Sequence, residues 1–79
     1  MKCEVKEILS MIYWKPGEDP KRFDIVFISR GVEGGLESIR ASEARLSGDR
    51  LEQGDRVIPL HRIVEIKKDG QVIWRRKFS

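Results

Sequence analysis

The residues best suited to chemistry stand in the last third of the chain. His61, the only histidine, precedes Arg62, and Trp74 precedes Arg75, Arg76 and Lys77. An arginine fork can hold two phosphate oxygens at once, and an imidazole beside it exchanges a proton near neutral pH. An aromatic ring among cations on an open sheet face suits a nucleobase next to a phosphate. The same residues also have a plain structural reading. In it, the histidine bonds a backbone carbonyl at the Pro59 bend, the tryptophan packs under a helix, and the cations form a solvated rim. The residues alone leave both readings open.

Charge favours an anionic partner. From Arg56 onward there are seven bases and two acids, whereas the first 55 residues hold nine bases and eleven acids. The net charge of +3 therefore belongs to the C-terminal stretch. A basic stretch attracts anions, nucleic acid among them.

Several functions lack their residues. One histidine cannot form the paired arrangement of acid–base ribonucleases or cyclic phosphodiesterases. One cysteine and one histidine cannot build a structural zinc site, so neither metal nor cofactor is expected. Gly31, Gly34 and Gly35 do not form a phosphate loop, because no Gly-Lys-Ser/Thr follows a strand. They suit a tight turn whose free backbone N–H groups could hold a phosphate oxygen. Cys3 cannot form an internal disulfide and fits a reducing compartment. Neither a signal peptide nor a membrane-spanning run is readable, so a cytoplasmic location away from membranes is expected.

The elements that must position these residues follow from pattern. Val5, Ile8, Leu9 and Ile12 make an apolar stripe, extended by Tyr13, that predicts a helix from Lys2 to Trp14. Pro16 and Gly17 end it. Phe23 to Arg30 reads as a strand apolar on both faces, hence central and covered on both sides at least in part. A glycine-rich turn leads to a second strand, Leu36 to Ala41, antiparallel to the first. Ser42 to Gln53 is the least legible part, with turns at Ser47-Gly48-Asp49 and Gly54-Asp55. Pro59 cannot donate to a ladder and marks an edge, a bulge or a sharp bend.

Asp69-Gly70, between two β-prone runs, signals a hairpin with a type I′ turn. An unbroken ladder from that turn sets Lys68 opposite Gln71, Lys67 opposite Val72, Ile66 opposite Ile73 and Glu65 opposite Trp74. Val64, Ile66 and Ile73 then face the core. Trp74 stands on the other face with Lys67, Arg76 and His61.

Ile58-Pro-Leu-His-Arg-Ile63 and Asp69-Gly-Gln-Val-Ile-Trp-Arg-Arg76, with Phe27-Ile-Ser-Arg-Gly31 and Trp14, resemble a small, mostly archaeal family. It is described as the RNA cyclic-group-end recognition domain. The resemblance runs through nearly the whole chain and touches Trp14, Arg30, Gly31, Pro59, His61, Arg62 and Trp74. The family often has an acid-Arg pair after its last tryptophan, where this chain has Arg75-Arg76.

The resemblance implies recognition of RNA ends bearing a 2′,3′-cyclic phosphate or a related terminal group. Trp74 would stack on the terminal base. Arg30 and Arg62 would take the phosphate, with Gly31 in the adjoining turn. His61 would hydrogen-bond the cyclic ester, and Arg75, Arg76 and Lys77 would follow the next phosphates.

The expected fold is a single α+β domain over residues 1–79, an N-terminal helix on one small antiparallel sheet ending in a β-hairpin. The expected role is non-catalytic binding of single-stranded or terminal RNA nucleotides, in the company of RNA-processing proteins. A small phosphoesterase using His61 and a protein-interaction module are the rival readings.

Overall fold

The computed structural model describes residues 4–29 and 35–77. The first element, α1, spans Glu4–Trp14 and buries Val5, Leu9 and Ile12, with Ile8 and Tyr13 packed against the core. The stripe spacing puts these residues on one side, as expected. The helix stops at Trp14, where Pro16 disfavours helical geometry at Lys15, and Gly17 turns the chain with a φ of 92°. The predicted residues Lys2 and Cys3 lie outside the described residues, as do Arg30 and Gly31. No described helix is long and apolar enough to cross a membrane.

A 3₁₀ turn, Pro20–Arg22, is capped by Asp19, whose carboxylate accepts from the Lys21 N–H at 2.9 Å. It leads into β1 (Phe23–Ile28), which pairs antiparallel with β2 (Leu36–Arg40). A second 3₁₀ turn, Ala41–Glu43, opens the stretch that pattern alone left obscure. There the chain makes β3 (Arg45–Ser47), β4 (Arg50–Gln53) and β5 (Arg56–Pro59), a separate three-stranded sheet in that order. Its two turns fall where expected, at Gly48 and Gly54. The expectation of one sheet is corrected to two. Each of these strands buries one side chain, Leu46, Leu51 or Ile58. Strands so short show no alternation to read.

After a third 3₁₀ turn, Leu60–Arg62, β6 (Ile63–Lys68) and β7 (Gln71–Arg75) form the C-terminal hairpin. The main sheet has the order β2-β1-β6-β7 with every pairing antiparallel. The fold is therefore α+β, with the helix on a small antiparallel sheet ending in a hairpin. One core joins Phe23, Ile25, Phe27, Ile39, Ile63 and Ile66 of the main sheet, the α1 stripe, and the buried residues of the second sheet. β1 is central, as expected, but its other face is open: Val26 is half-buried and Ile28 is exposed. Antiparallel sheets commonly leave one face to solvent. Here Asp24 pairs with Arg40 on that face at 3.1 Å, and Glu65 meets Lys67 and Arg75 at 3.5 and 3.1 Å.

The hairpin turn is the one expected. Asp69 and Gly70 both have positive φ, 52° and 85°, as a type I′ turn requires. Lys68 faces Gln71 and Lys67 faces Val72, also as expected. The ladder then slips, so that Ile66 faces Trp74 and Glu65 faces Arg75, leaving Ile73 as the extra residue of a bulge. A one-residue slip sends every later side chain to the opposite face. Ile73 is therefore 43% exposed, while Trp74 joins Ile66 on the core side. The placement of Ile73 in the core and of Trp74 on the open face is thus corrected.

Candidate functional site

His61 and Arg62 lie in the 3₁₀ turn Leu60–Arg62 rather than in a strand. Pro59 caps that turn with a φ of −61°, the value its ring favours, at the end of β5, which is an edge strand. His61 is exposed and Arg62 is half-buried. No hydrogen bond joins the His61 side chain to a described residue. Arg76 instead binds one carbonyl of this turn and the first carbonyl of β6. Its Nε donates to the Ile63 carbonyl at 2.9 Å and its Nη2 to the Leu60 carbonyl at 3.0 Å.

Arg76 also lies over the Trp74 ring, 5.3 Å from the centroid. The indole N–H donates to the Glu4 carboxylate at 3.3 Å. Trp74 is thus half-buried against the core, with one face occupied by a guanidinium. The same residues that looked like a stacking platform tie the hairpin to α1 and to the His61 turn.

Among the described residues of the basic stretch, Arg56 pairs with Glu37, Lys67 and Arg75 with Glu65, and Lys68 with Glu18. Arg76 is used on backbone carbonyls. Arg62 has no acidic partner among the described residues, and neither has exposed Lys77.

Arg62 lines a shallow depression of about 170 Å³, bounded by the end of β1 (Phe27, Ile28, Ser29) and by Arg56, Val57 and Ile58 of β5. The register of Phe27 with Ile63 brings β1 beside the His61 turn. The Ser29 N–H donates to the Gly35 carbonyl at 2.7 Å. The two described residues flanking segment 30–34 therefore meet at the wall of the depression.

A second guanidinium stands in this wall. Arg56 donates through Nη1 and Nη2 to the two Glu37 oxygens, at 3.1 and 2.7 Å. That pairing, with a hydrogen bond from Ser29, holds the Glu37 carboxyl down at about 2. Sequence reasoning missed Ser29 and Arg56 as members of the site, and Glu37 as the residue that holds Arg56. Arg56 was visible only as the first base of the basic stretch.

The structure thus brings Arg62 to the residue preceding Arg30-Gly31. It places Arg75 on the open face with Glu65 and turns Arg76 inward. Among the described residues no group of His, Cys, Asp and Glu could hold a metal ion.

The family described as the MJ1316 RNA cyclic group end recognition domain matches residues 1–76. The chain belongs to this family. The UPF0248 protein MJ1316 of Methanocaldococcus jannaschii is 39% identical over 75 residues, 92% of this chain and 94% of that one. A UPF0248 protein of Thermococcus onnurineus is 36% identical over 77 residues, 96% of this chain and 88% of that one. The UPF0248 protein TK0315 of Thermococcus kodakarensis is also 36% identical over 77 residues, 96% of this chain and 95% of its own. No solved structure matches significantly. The RNA cyclic group end recognition family is thus represented here by a helix, two sheets and a basic depression between β1, β5 and the His61 turn.

Proposed function

We propose that this domain binds RNA ends carrying a terminal phosphate, and that the phosphate sits in the Arg62 depression. The observation that supports this reading most is Arg62 itself. It is half-buried and without an acidic partner among the described residues, in a concave wall whose other described cation, Arg56, is paired with Glu37. A guanidinium in that state gains charge-assisted hydrogen bonds from a phosphate without first breaking an ion pair. His61, exposed on the same short turn, would hydrogen-bond the ester oxygens. Arg30, with Gly31 beside it, would reach the phosphate from the β1 side. The family name points to the same ligand class. RNA-processing proteins are the companions this reading implies.

Trp74 has a different part in this proposal. Its ring holds Arg76 against the Leu60 and Ile63 carbonyls and so shapes the site from behind.

The test is a titration with one short RNA ending in a 2′,3′-cyclic phosphate, a 2′- or 3′-phosphate, or a hydroxyl. Phosphorylated ends should bind more tightly than the hydroxyl. Arg62→Ala should remove most of that difference, about 1.5–3 kcal/mol for hydrogen bonds to a charged group. Equal affinity for all ends in the unaltered protein would sink the proposal.

A further inference from the structure

β5 is an edge strand of the second sheet, paired along one side with β4. The register sets Leu51 opposite Ile58, Glu52 opposite Val57 and Arg50 opposite Pro59. One rung further on, the Leu60 N–H donates to the Asp49 carbonyl at 3.3 Å. Successive rungs of an antiparallel ladder alternate between bonded and unbonded pairs. Arg56 and Ile58 therefore turn their backbone groups towards β4, and Val57 and Pro59 turn theirs away from it. Pro59 fits that phase, because it has no N–H to give a ladder. Val57 does have one, and it points out of the free edge of β5. Val57 lines the depression together with Phe27, Ile28, Ser29 and Arg62. No hydrogen bond joins the Val57 N–H to another described residue.

We infer that the Val57 backbone N–H is a binding group of the depression, donating to the terminal phosphate that Arg62 attracts by charge. The inference rests on the end-binding reading above and adds a donor to that site. Backbone N–H groups commonly bond phosphate oxygens. This one is held in direction by the β4–β5 ladder before any ligand arrives. A phosphate presents oxygens on several sides, so a guanidinium and an N–H can bond it together. The same edge does not suit an incoming peptide strand. Such a strand needs donors at alternate positions, and the next position after Val57 is Pro59. The Val57 side chain is not part of the inference. Its cross-strand partner is Glu52, whereas the buried pair Leu51 and Ile58 marks the opposite face of the second sheet.

The test separates the N–H from the side chain. The full chain is made by chemical synthesis with the Arg56–Val57 peptide bond replaced by an ester, so that an oxygen stands in place of the Val57 N–H. One short RNA, ending in a cyclic phosphate, a 3′-phosphate or a hydroxyl, is titrated against this chain, the unaltered chain and Val57→Ala. The unaltered chain and Val57→Ala should prefer phosphorylated ends equally. In the ester chain that preference should fall about tenfold, the lower end for a hydrogen bond to a charged group. A preference unchanged by the ester overturns the inference, as does an equal loss in Val57→Ala.

Amide hydrogen exchange in the unaltered chain gives a second reading that does not depend on how the ester chain folds. The free domain should exchange the Val57 amide faster than the Ile58 amide, which lies in the ladder. Adding the phosphorylated RNA should slow Val57 and leave Ile58 as it was. A Val57 amide as protected as Ile58 in the free domain is held by the protein itself and overturns the inference, as does one that the RNA fails to slow. If the unaltered chain binds phosphorylated ends no better than the hydroxyl, the end-binding reading fails first and this inference falls with it.

Discussion

Tyr13 shows how one polar atom stitches distant parts of the chain. Its hydroxyl donates to the Ala41 carbonyl at 2.7 Å, joining the end of α1 to the turn that starts the second sheet. Burial pushes its pKa up from 10.0 to about 12. The folded state thus keeps a proton that the unfolded chain gives up. This contribution to stability is fully present below pH 10 and is lost as pH rises towards 12. Tyr13→Phe should lower stability by about 1 kcal/mol at neutral pH, the usual worth of one hydrogen bond. It should also flatten the alkaline loss, which denaturant titrations at pH 8 and pH 11 would compare. A variant with the same alkaline profile as the unaltered chain would mean that Tyr13 is not the titrating group. Neither this contact nor the Arg56–Glu37 pair was legible beforehand. The first spans 28 positions and the second 19. Both depend on pairings between elements that residue types do not reveal. Arg62 and His61 were legible by type, because an arginine and a lone histidine side by side stand out wherever they fall.

At the scale of elements, legibility follows the range of the signal. The α1 stripe and the Asp69-Gly70 turn are written in adjacent residues, and both are where expected. The bulge at Ile73 is not, because its cause lies across the molecule. Slipping the ladder by one residue gives Trp74 a core-side position, a hydrogen bond to Glu4 and a place under Arg76. Arg76 in turn holds the carbonyls of Leu60 and Ile63, so the hairpin fixes the turn that carries Arg62. Arg76→Leu should therefore destabilise the domain by about 1.5–3 kcal/mol, since two carbonyls lose a charged donor. It should also weaken RNA-end binding even under conditions where the domain stays folded, because Arg62 loses its anchored turn. Arg75→Leu, one position earlier on the open face, removes only an exposed pair with Glu65. Exposed ion pairs contribute about 0–1 kcal/mol, so its melting midpoint should barely move. Equal destabilisation by the two changes would contradict the proposed difference between inward and outward arginines.

For the molecule as a whole, the distribution of paired and unpaired charge governs how it meets RNA. The C-terminal stretch carries an excess of bases, yet its described arginines and lysines are largely matched by acids from elsewhere in the fold: Glu18, Glu37 and Glu65. A paired cation that turns to a phosphate gives up one carboxylate for another anion, and the net release of counterions is small. An unpaired cation releases them in full. On single strands each phosphate so neutralised adds about −0.7 to the slope of log affinity against log salt. The unaltered domain should therefore show a shallow slope, well short of what seven C-terminal bases would give if all contacted phosphate. Arg62→Ala should reduce that slope by about 0.7, and Arg75→Ala should leave it nearly unchanged. Both follow from affinities measured between 50 and 300 mM salt on one phosphorylated RNA, an approximate range chosen to spread the screening. If Arg75→Ala flattened the slope as much as Arg62→Ala, the open face rather than the depression would be the surface that meets RNA.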